Sequence, residues 1–210
     1  MLEPLAKTPV NQDVLRFANL SHIATLAKSK GLTIGEITDV IAFERGDVTK
    51  ELMESPFEKK AQLGSKFGLR SRFSDGDWPV FYAAVHRDTA EKESSFHYGR
   101  KAAGNPSDNR PVHYSVVRCT FNGEVIDLEP QLADWPDLVR DDYRFCTGLG
   151  KEAHDMGLGG FLAPSARHPG GTTVPAFLAS TLSNPIIIST VRLTYNTGST
   201  IVEFKDLPTV

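Results

Sequence analysis

The sequence is poor in the features that mark several large classes of protein. It has two cysteines in 210 residues, Cys119 and Cys146, too few for the disulfide framework of a small secreted domain. No apolar run reaches the ~18–20 residues needed to span a bilayer. No basic N-terminal region precedes an apolar stretch, as a secretory signal requires. These absences predict a soluble protein of the reducing cytoplasm with no membrane partner.

Metal-binding and common catalytic motifs are also missing. The six histidines include no His-x-x-x-His pair and have no Cys-x-x-Cys near them, so no metal site is expected. No Gly-x-Ser-x-Gly elbow supports Ser-His-Asp catalysis. The formal net charge of −3 gives no general attraction to nucleic acid, although it leaves room for a local basic cleft.

What is present predicts one domain in two parts. Residues 1–60 look helical, because Asn11 or Asp13 could cap a helix reaching Leu26 with apolar residues at helical spacing. Residues 61–210 mix short strands with helices and form the expected catalytic core. A chain of this length can bury both parts around one core. A second N-terminal helix is expected at residues 33–43.

The core region alternates strands and turns in a way that favours antiparallel hairpins. Asn122-Gly123 is the strongest hairpin-turn dipeptide in the chain and predicts a reversal there. Helices inserted between hairpins, without strict alternation, argue for an α+β fold over a doubly wound sheet. Strands are expected at residues 80–85, 112–121, 124–128, 161–163, 174–178, 186–195 and 200–204. Helices are expected at residues 88–98 and 141–156, the second interrupted by Gly148 and Gly150.

One of these helices carries an unusual carboxylate, Glu93. The helix opens with the capping box Asp88-Thr89-Ala90-Glu91, which explains Glu91. Helical spacing places Glu93 on the face of Ala90, which we expect to point inward. A buried carboxylate is costly without partners. Glu93 is therefore either half of a satisfied ion pair or a catalytic group aimed into a cleft.

Three other residues have a structural and a functional interpretation. Arg72 is either a solvated loop arginine or a planar fork that grips a pyrophosphate or carboxylate. Tyr82 is either a core tyrosine or a ring that packs on a heteroaromatic base. Ser165 is either a turn serine or a hydroxyl presented to a ligand beside Gly170-Gly171.

Taken together, these residues resemble the RES domain family over about residues 71–178. The resemblance implies a fold related to ADP-ribosyltransferase toxins, with a split antiparallel β core and inserted helices. It implies activity on NAD+ as a substrate, with Glu93 and Arg72 catalytic and with Arg72, Tyr82 and Ser165 binding NAD+. The motifs that carry it are Ser71-Arg72-Phe73-Ser74-Asp75-Gly76, Val80-Phe81-Tyr82-Ala83-Ala84, Thr89-Ala90 with Glu93, His97, and Pro164-Ser165-Ala166-Arg167 with Gly170-Gly171.

The same resemblance implies a bacterial toxin that consumes NAD+ by cleaving the nicotinamide–ribose bond, as a glycohydrolase or a phosphorylase. An ADP-ribosyltransferase that modifies a protein, and a non-catalytic NAD-binding module, are the alternatives. A separate antitoxin or immunity protein is the expected partner. An N-terminal arginine, Arg16 or Arg45, is expected to complete the NAD+ pocket. The acceptor, delivery as a secreted effector, and assembly as a homo-oligomer stay open.

Overall fold

The structure is a computed structural model that describes residues 1–19, 49–50, 52–57, 70–104, 111–196 and 201–207. The expected helix at residues 33–43, the end of the helix expected to reach Leu26, and Arg45 lie outside these residues. None of the described helices is long and apolar enough to cross a membrane.

In the described part of the chain, a seven-stranded, mostly antiparallel sheet dominates the fold. Two α-helices and three short 3₁₀ segments lie between its strands, and residues 49–50 and 52–57 are also helical. This confirms a mixed fold with a sheet-dominated core and few helices. The strands are β1 (Lys7–Asn19), β2 (Phe81–Ala84), β3 (Val112–Asp127), β4 (Gly160–Pro164), β5 (Thr172–Ala176), β6 (Leu182–Asn196) and β7 (Ile201–Leu207). The helices are α1 (Arg87–Gly104) and α2 (Arg144–Asp155).

Five strands form a closed ring of pairings in the order β1-β2-β5-β4-β3, since β3 also pairs with β1. The β1–β3 ladder is long and runs from Lys7 opposite Ile126 to Asn19 opposite Tyr114. By contrast, β1 and β2 meet among the described residues at one pair, Leu15 with Ala84. The ring is therefore weakly joined at this seam.

The helix expected from Asn11 or Asp13 is wrong over the residues that the structure describes, because Lys7–Asn19 is a strand. The spacing of Val14 and Phe17 suits a helix, but the two side chains pack into different clusters on opposite faces of β1. Pairing with β3 along the whole strand outweighs the weak local preference, as tertiary context often does.

The hairpin expected at Asn122-Gly123 is also wrong. Strand β3 continues through both residues, which lie opposite Asn11 and Val10 of β1. A Cβ atom on Gly123 would lie 2.8 Å from Cγ2 of Thr181. The glycine therefore permits close packing in a strand, which is one of the established roles of glycine at such positions.

Helices α1 and α2 both pack against the same face of β2, each through a different cluster of side chains. Phe81 and Ala83 point to a cluster inside the ring with Val174 and Cys119. Tyr82 and Ala84 point the other way, as strand alternation requires. Tyr82 packs against the cluster that includes Cys146, Leu149 and Ala153 of α2, and Ala84 belongs to the cluster that includes Ala90, Tyr98 and Ala102 of α1. The space between these clusters holds the site.

Candidate functional site

Glu93 of α1 and Ser165, which directly follows β4, form a buried pair. The Ser165 hydroxyl donates to Oε1 of Glu93 at 2.6 Å, and the two residues are 7% and 5% exposed. The expectation that Glu93 shares the inward face with Ala90 is confirmed. Helix α1 begins at Arg87, however, and Glu91 pairs with that arginine at 2.9 Å. The capping box expected at Asp88–Glu91 is therefore wrong: Asp88 lies inside the first turn, and Glu91 forms an ion pair with Arg87.

The Ser165 hydroxyl uses its full hydrogen-bonding capacity. It accepts from the backbone N–H groups of Arg167 at 3.2 Å and His168 at 3.0 Å, while its proton goes to Glu93. A hydroxyl has one donor and two acceptor lone pairs. Ser165 N–H also donates to the carbonyl of Gly171, which closes the turn. The Ser165 hydroxyl therefore fixes the orientation of the Glu93 carboxylate.

The loop before β2 positions Arg72. Inside this loop the Ser74 hydroxyl donates to the Trp78 carbonyl at 2.6 Å, and the Trp78 indole donates to the Phe73 carbonyl at 2.9 Å. Arg72 is 4% exposed. Its guanidinium donates to the backbone carbonyls of Leu138 and Arg140 and lies 4.6 Å from the centre of the Tyr143 ring.

Tyr82 lies between Arg72 and Glu93 in the chain and near both in space. Its hydroxyl makes a 3.4 Å hydrogen bond to Oγ1 of Thr173, and its ring stacks near Phe73 with centroids 6.5 Å apart. Burial, and next the charge of Glu93, raise the pKa of Tyr82 above its ordinary value. The phenol therefore stays neutral and packs as a ring with one polar end.

Arg72, Tyr82 and Glu93 line one cavity of about 310 Å³. Ser165 does not line the cavity itself, but its hydroxyl is hydrogen-bonded to Glu93, which does. Glu93 is the single acidic residue among the described lining residues, whereas three arginines line the same space. Desolvation lowers the pKa of the His97 imidazole, which also lines the cavity. The lining residues are Leu15, Arg16, Phe17, Pro56, Arg70, Ser71, Arg72, Pro79, Val80, Tyr82, Ala83, Ala84, Ala90, Glu93, Ser94, His97, Tyr114 and Tyr143.

Arg16 lies on β1 beside the weak seam between β1 and β2, and it is one of the residues that line the cavity. Its guanidinium is 4.8 Å from the centre of the Phe81 ring, and its Nε is buried with no hydrogen-bond partner among the described residues. Burial lowers the pKa of Arg16 to about 10, so the group remains a cation at pH 7. The structure thus places Arg16 at the site, whereas Arg45 lies outside the described residues.

Sequence reasoning missed Tyr143 and Arg70 as lining residues. Tyr143 precedes α2 and stacks on Arg72, far along the chain from the loop that it contacts. No local pattern signals such a contact. In the described part of the chain, no group of three or more His, Cys, Asp or Glu side chains is arranged to hold a metal ion.

Both cysteines are inaccessible, with 0% of each residue exposed. Burial raises the pKa of Cys119 to about 12 and that of Cys146 to about 11. Since the thiolate is the reactive form, we expect a thiol reagent at pH 8 to label neither residue in native protein and both after denaturation. Rapid labelling of Cys146 in the folded protein, located by peptide mass spectrometry, would contradict this expectation. Cys146 would then be a candidate nucleophile.

Comparison with known proteins identifies the family. A model of the RES domain matches residues 48–196, which is more than half of the chain. The chain belongs to the RES domain family. The matched region of the RES domain contains Arg72, Tyr82, Glu93 and Ser165, whereas Arg16 precedes it. The expected resemblance is confirmed.

No curated protein matches this RES-domain chain. Among solved structures, it is similar to a chain in the crystal structure of the M. tuberculosis MbcT-MbcA toxin-antitoxin complex, with 21% sequence identity. The similarity covers 61% of this chain and 73% of that chain, with a TM-score of 0.45. At this TM-score the likeness supports no inference about function.

Proposed function

We propose that the protein is a bacterial toxin that consumes NAD+ by cleaving its nicotinamide–ribose bond. The observation that carries the proposal is the buried carboxylate of Glu93, which Ser165 holds at a cavity whose other charged lining residues, among those that the structure describes, are arginines. RES-family membership supports NAD+ as the substrate and a fold related to ADP-ribosyltransferase toxins. It also supports a separate antitoxin as partner and action in the bacterial cytoplasm.

The charges around the cavity suit a dinucleotide. The whole chain carries a formal charge of −3, yet Arg16, Arg70 and Arg72 line the cavity against one glutamate among the described residues. A pyrophosphate carries negative charge and accepts the paired N–H groups that an arginine presents. We assign the pyrophosphate to Arg72 and Arg16.

The reaction needs one well-placed carboxylate. The nicotinamide of NAD+ is positively charged and leaves as a neutral ring, so its departure needs no general acid. The ribose passes through an oxocarbenium-like state, as in glycoside cleavage. Glu93 would stabilise this developing positive charge, and Tyr82 would pack against the nicotinamide or ribose. Because the Ser165 hydroxyl has no capacity left for a ligand, we assign it to holding Glu93.

Product analysis tests the function directly. Purified protein is incubated with NAD+, with and without inorganic phosphate, and the products are identified by chromatography and mass spectrometry. If water is the acceptor, we expect free nicotinamide and ADP-ribose with or without phosphate. If phosphate is the acceptor, we expect free nicotinamide and the phosphorylated form of ADP-ribose, and only in the sample that contains phosphate. Radiolabelled NAD+ in a bacterial lysate tests for a labelled protein acceptor. Tight NAD+ binding without any of these products would indicate a non-catalytic module and contradict the proposal.

A further inference from the structure

One short segment holds two arginines beside the site. Residues 138–143 comprise the end of the 3₁₀ segment Pro136–Val139 and the link from it to α2. Its carbonyls and the ring of Tyr143 hold Arg72. Within the same segment, the carboxylate of Asp141 accepts a hydrogen bond from Arg167. Arg167 therefore shares its surroundings with the arginine that we assign to the pyrophosphate.

The Arg167 side chain is more buried than that of its ion-pair partner, Asp141. Its side chain is 13% exposed, whereas that of Asp141 is 64% exposed. The guanidinium carbon lies 3.3 Å from the centre of the Phe96 ring, a stacking contact that favours arginine. The Nε atom is buried and has no hydrogen-bond partner among the described residues. The guanidinium is thus pre-positioned and incompletely satisfied.

Arg167 also lies within electrostatic reach of the cavity. Its backbone N–H donates to Ser165, two residues before it. The charges of Arg167 and Arg72 both act on His97, which lines the cavity together with Glu93. Arg167 is not among the described lining residues of the cavity, so a ligand would contact its guanidinium by extending from Glu93 past Ser165 towards the Phe96 ring.

We propose that Arg167 is a further substrate-binding residue that takes an anionic phosphate oxygen of the ligand, and that Asp141 occupies its guanidinium until the ligand replaces it. The inference rests on the proposed function for the identity of the ligand. Asp141 suits this role because an exposed ion pair contributes little and is screened by salt. A phosphate offers the same guanidinium a paired, charge-assisted contact.

Steady-state kinetics with NAD+ separate binding from chemistry. Asp141→Asn removes the competing carboxylate, so we expect KM to fall by up to about 5-fold, the range of an exposed ion pair, with kcat unchanged within about 2-fold. Arg167→Gln should raise KM by about 10-fold or more, since a hydrogen bond between charged groups is lost. Asp142→Asn is the matched control. Asp142 is the adjacent exposed residue and bonds Arg144, so its KM should equal that of the wild type.

Nicotinamide riboside and inorganic pyrophosphate distinguish phosphate binding from a structural role. The riboside has the scissile bond and no phosphate, so neither Asp141→Asn nor Arg167→Gln should change its cleavage. Calorimetry should show tighter pyrophosphate binding by Asp141→Asn and weaker binding by Arg167→Gln, whether or not the protein cleaves NAD+. Equal losses of both substrates in Arg167→Gln, or a raised KM in Asp141→Asn, would overturn the proposal. If pyrophosphate binding depends on Arg167 but the protein does not cleave NAD+, the proposed function is refuted, whereas the phosphate-binding role of Arg167 is supported.

Discussion

Replacing Glu93 with glutamine should lower the rate of nicotinamide release from NAD+ by at least about 10²–10³-fold, because a charge-stabilising group is removed from the transition state. Glutamine has nearly the same shape as glutamate and keeps an oxygen that can accept the hydrogen bond from Ser165. The substitution therefore removes the negative charge while leaving the buried pair and its surroundings in place. The loss should appear in kcat.

The measurement is the initial rate of nicotinamide release, followed by chromatography at saturating NAD+. Glu91→Gln supplies the matched control, since Glu91 lies on the same helix and pairs with Arg87 at its surface. We expect this control to retain nearly full activity. Thermal melting of both variants should lie close to that of the wild type, which separates lost chemistry from lost folding.

Calorimetry on the Glu93→Gln protein then separates binding from catalysis. The three arginines and Tyr82 are unchanged, so the variant should still bind NAD+. Near-normal nicotinamide release by a folded Glu93→Gln protein would remove Glu93 from the reaction. If the folded variant no longer binds NAD+, Glu93 contributes to substrate binding before the reaction. Another group would then have to stabilise the transition state.

The residues of the site were more predictable from the sequence than the fold around them. The burial of Glu93 could be predicted because helix phasing puts it on the same face as Ala90, and the need for a partner follows because a buried carboxylate is costly without one. Arg72, Tyr82 and Ser165 lie in short local motifs that a family shares. Such motifs can be recognised without knowing how the strands pair.

Long-range partners explain what could not be predicted. The structure of Lys7–Asn19 depends on pairing with β3, from Lys7 with Ile126 to Asn19 with Tyr114, and its local pattern permits either helix or strand. The cavity position of Arg16 follows from that pairing. Arg167 was part of a motif, but its partner Asp141 and its stacking ring Phe96 belong to other segments. Only the folded chain places these groups together.

The structural roles of the glycines were also hard to predict from the sequence. Gly123 suggested a turn and lies in a strand. Gly148 and Gly150 suggested an interrupted helix, yet α2 runs without a break through both. A sequence shows that a glycine is present, but not whether the backbone needs a special conformation or a neighbour needs the space of a missing side chain.

Gly150→Ala should destabilise the protein by about 1–3 kcal/mol, the usual range for overpacking a core. A Cβ atom on Gly150 would lie 2.0 Å from the carbonyl oxygen of Phe73 and 2.8 Å from its carbonyl carbon. Because the neighbour is backbone, no side chain can rotate away, and the loop after Arg72 must move. A displacement of about 1 Å in a positioning group can cost on the order of 10²-fold in rate. We therefore expect both the urea midpoint and kcat/KM to fall.

Gly148→Ala is the matched control, two residues earlier on the same helix. Gly148 is exposed, and a Cβ atom there would meet nothing within 4 Å. Alanine should stabilise the helix by roughly 0.5–1 kcal/mol and leave kcat/KM unchanged. Opposite signs for the two variants would show that Gly150 is required for contact with the Arg72 loop, and not for helix flexibility. Equal effects on stability and activity would instead mean that the loop does not rest on α2, and that Arg72 is positioned by the segment at residues 138–143 alone.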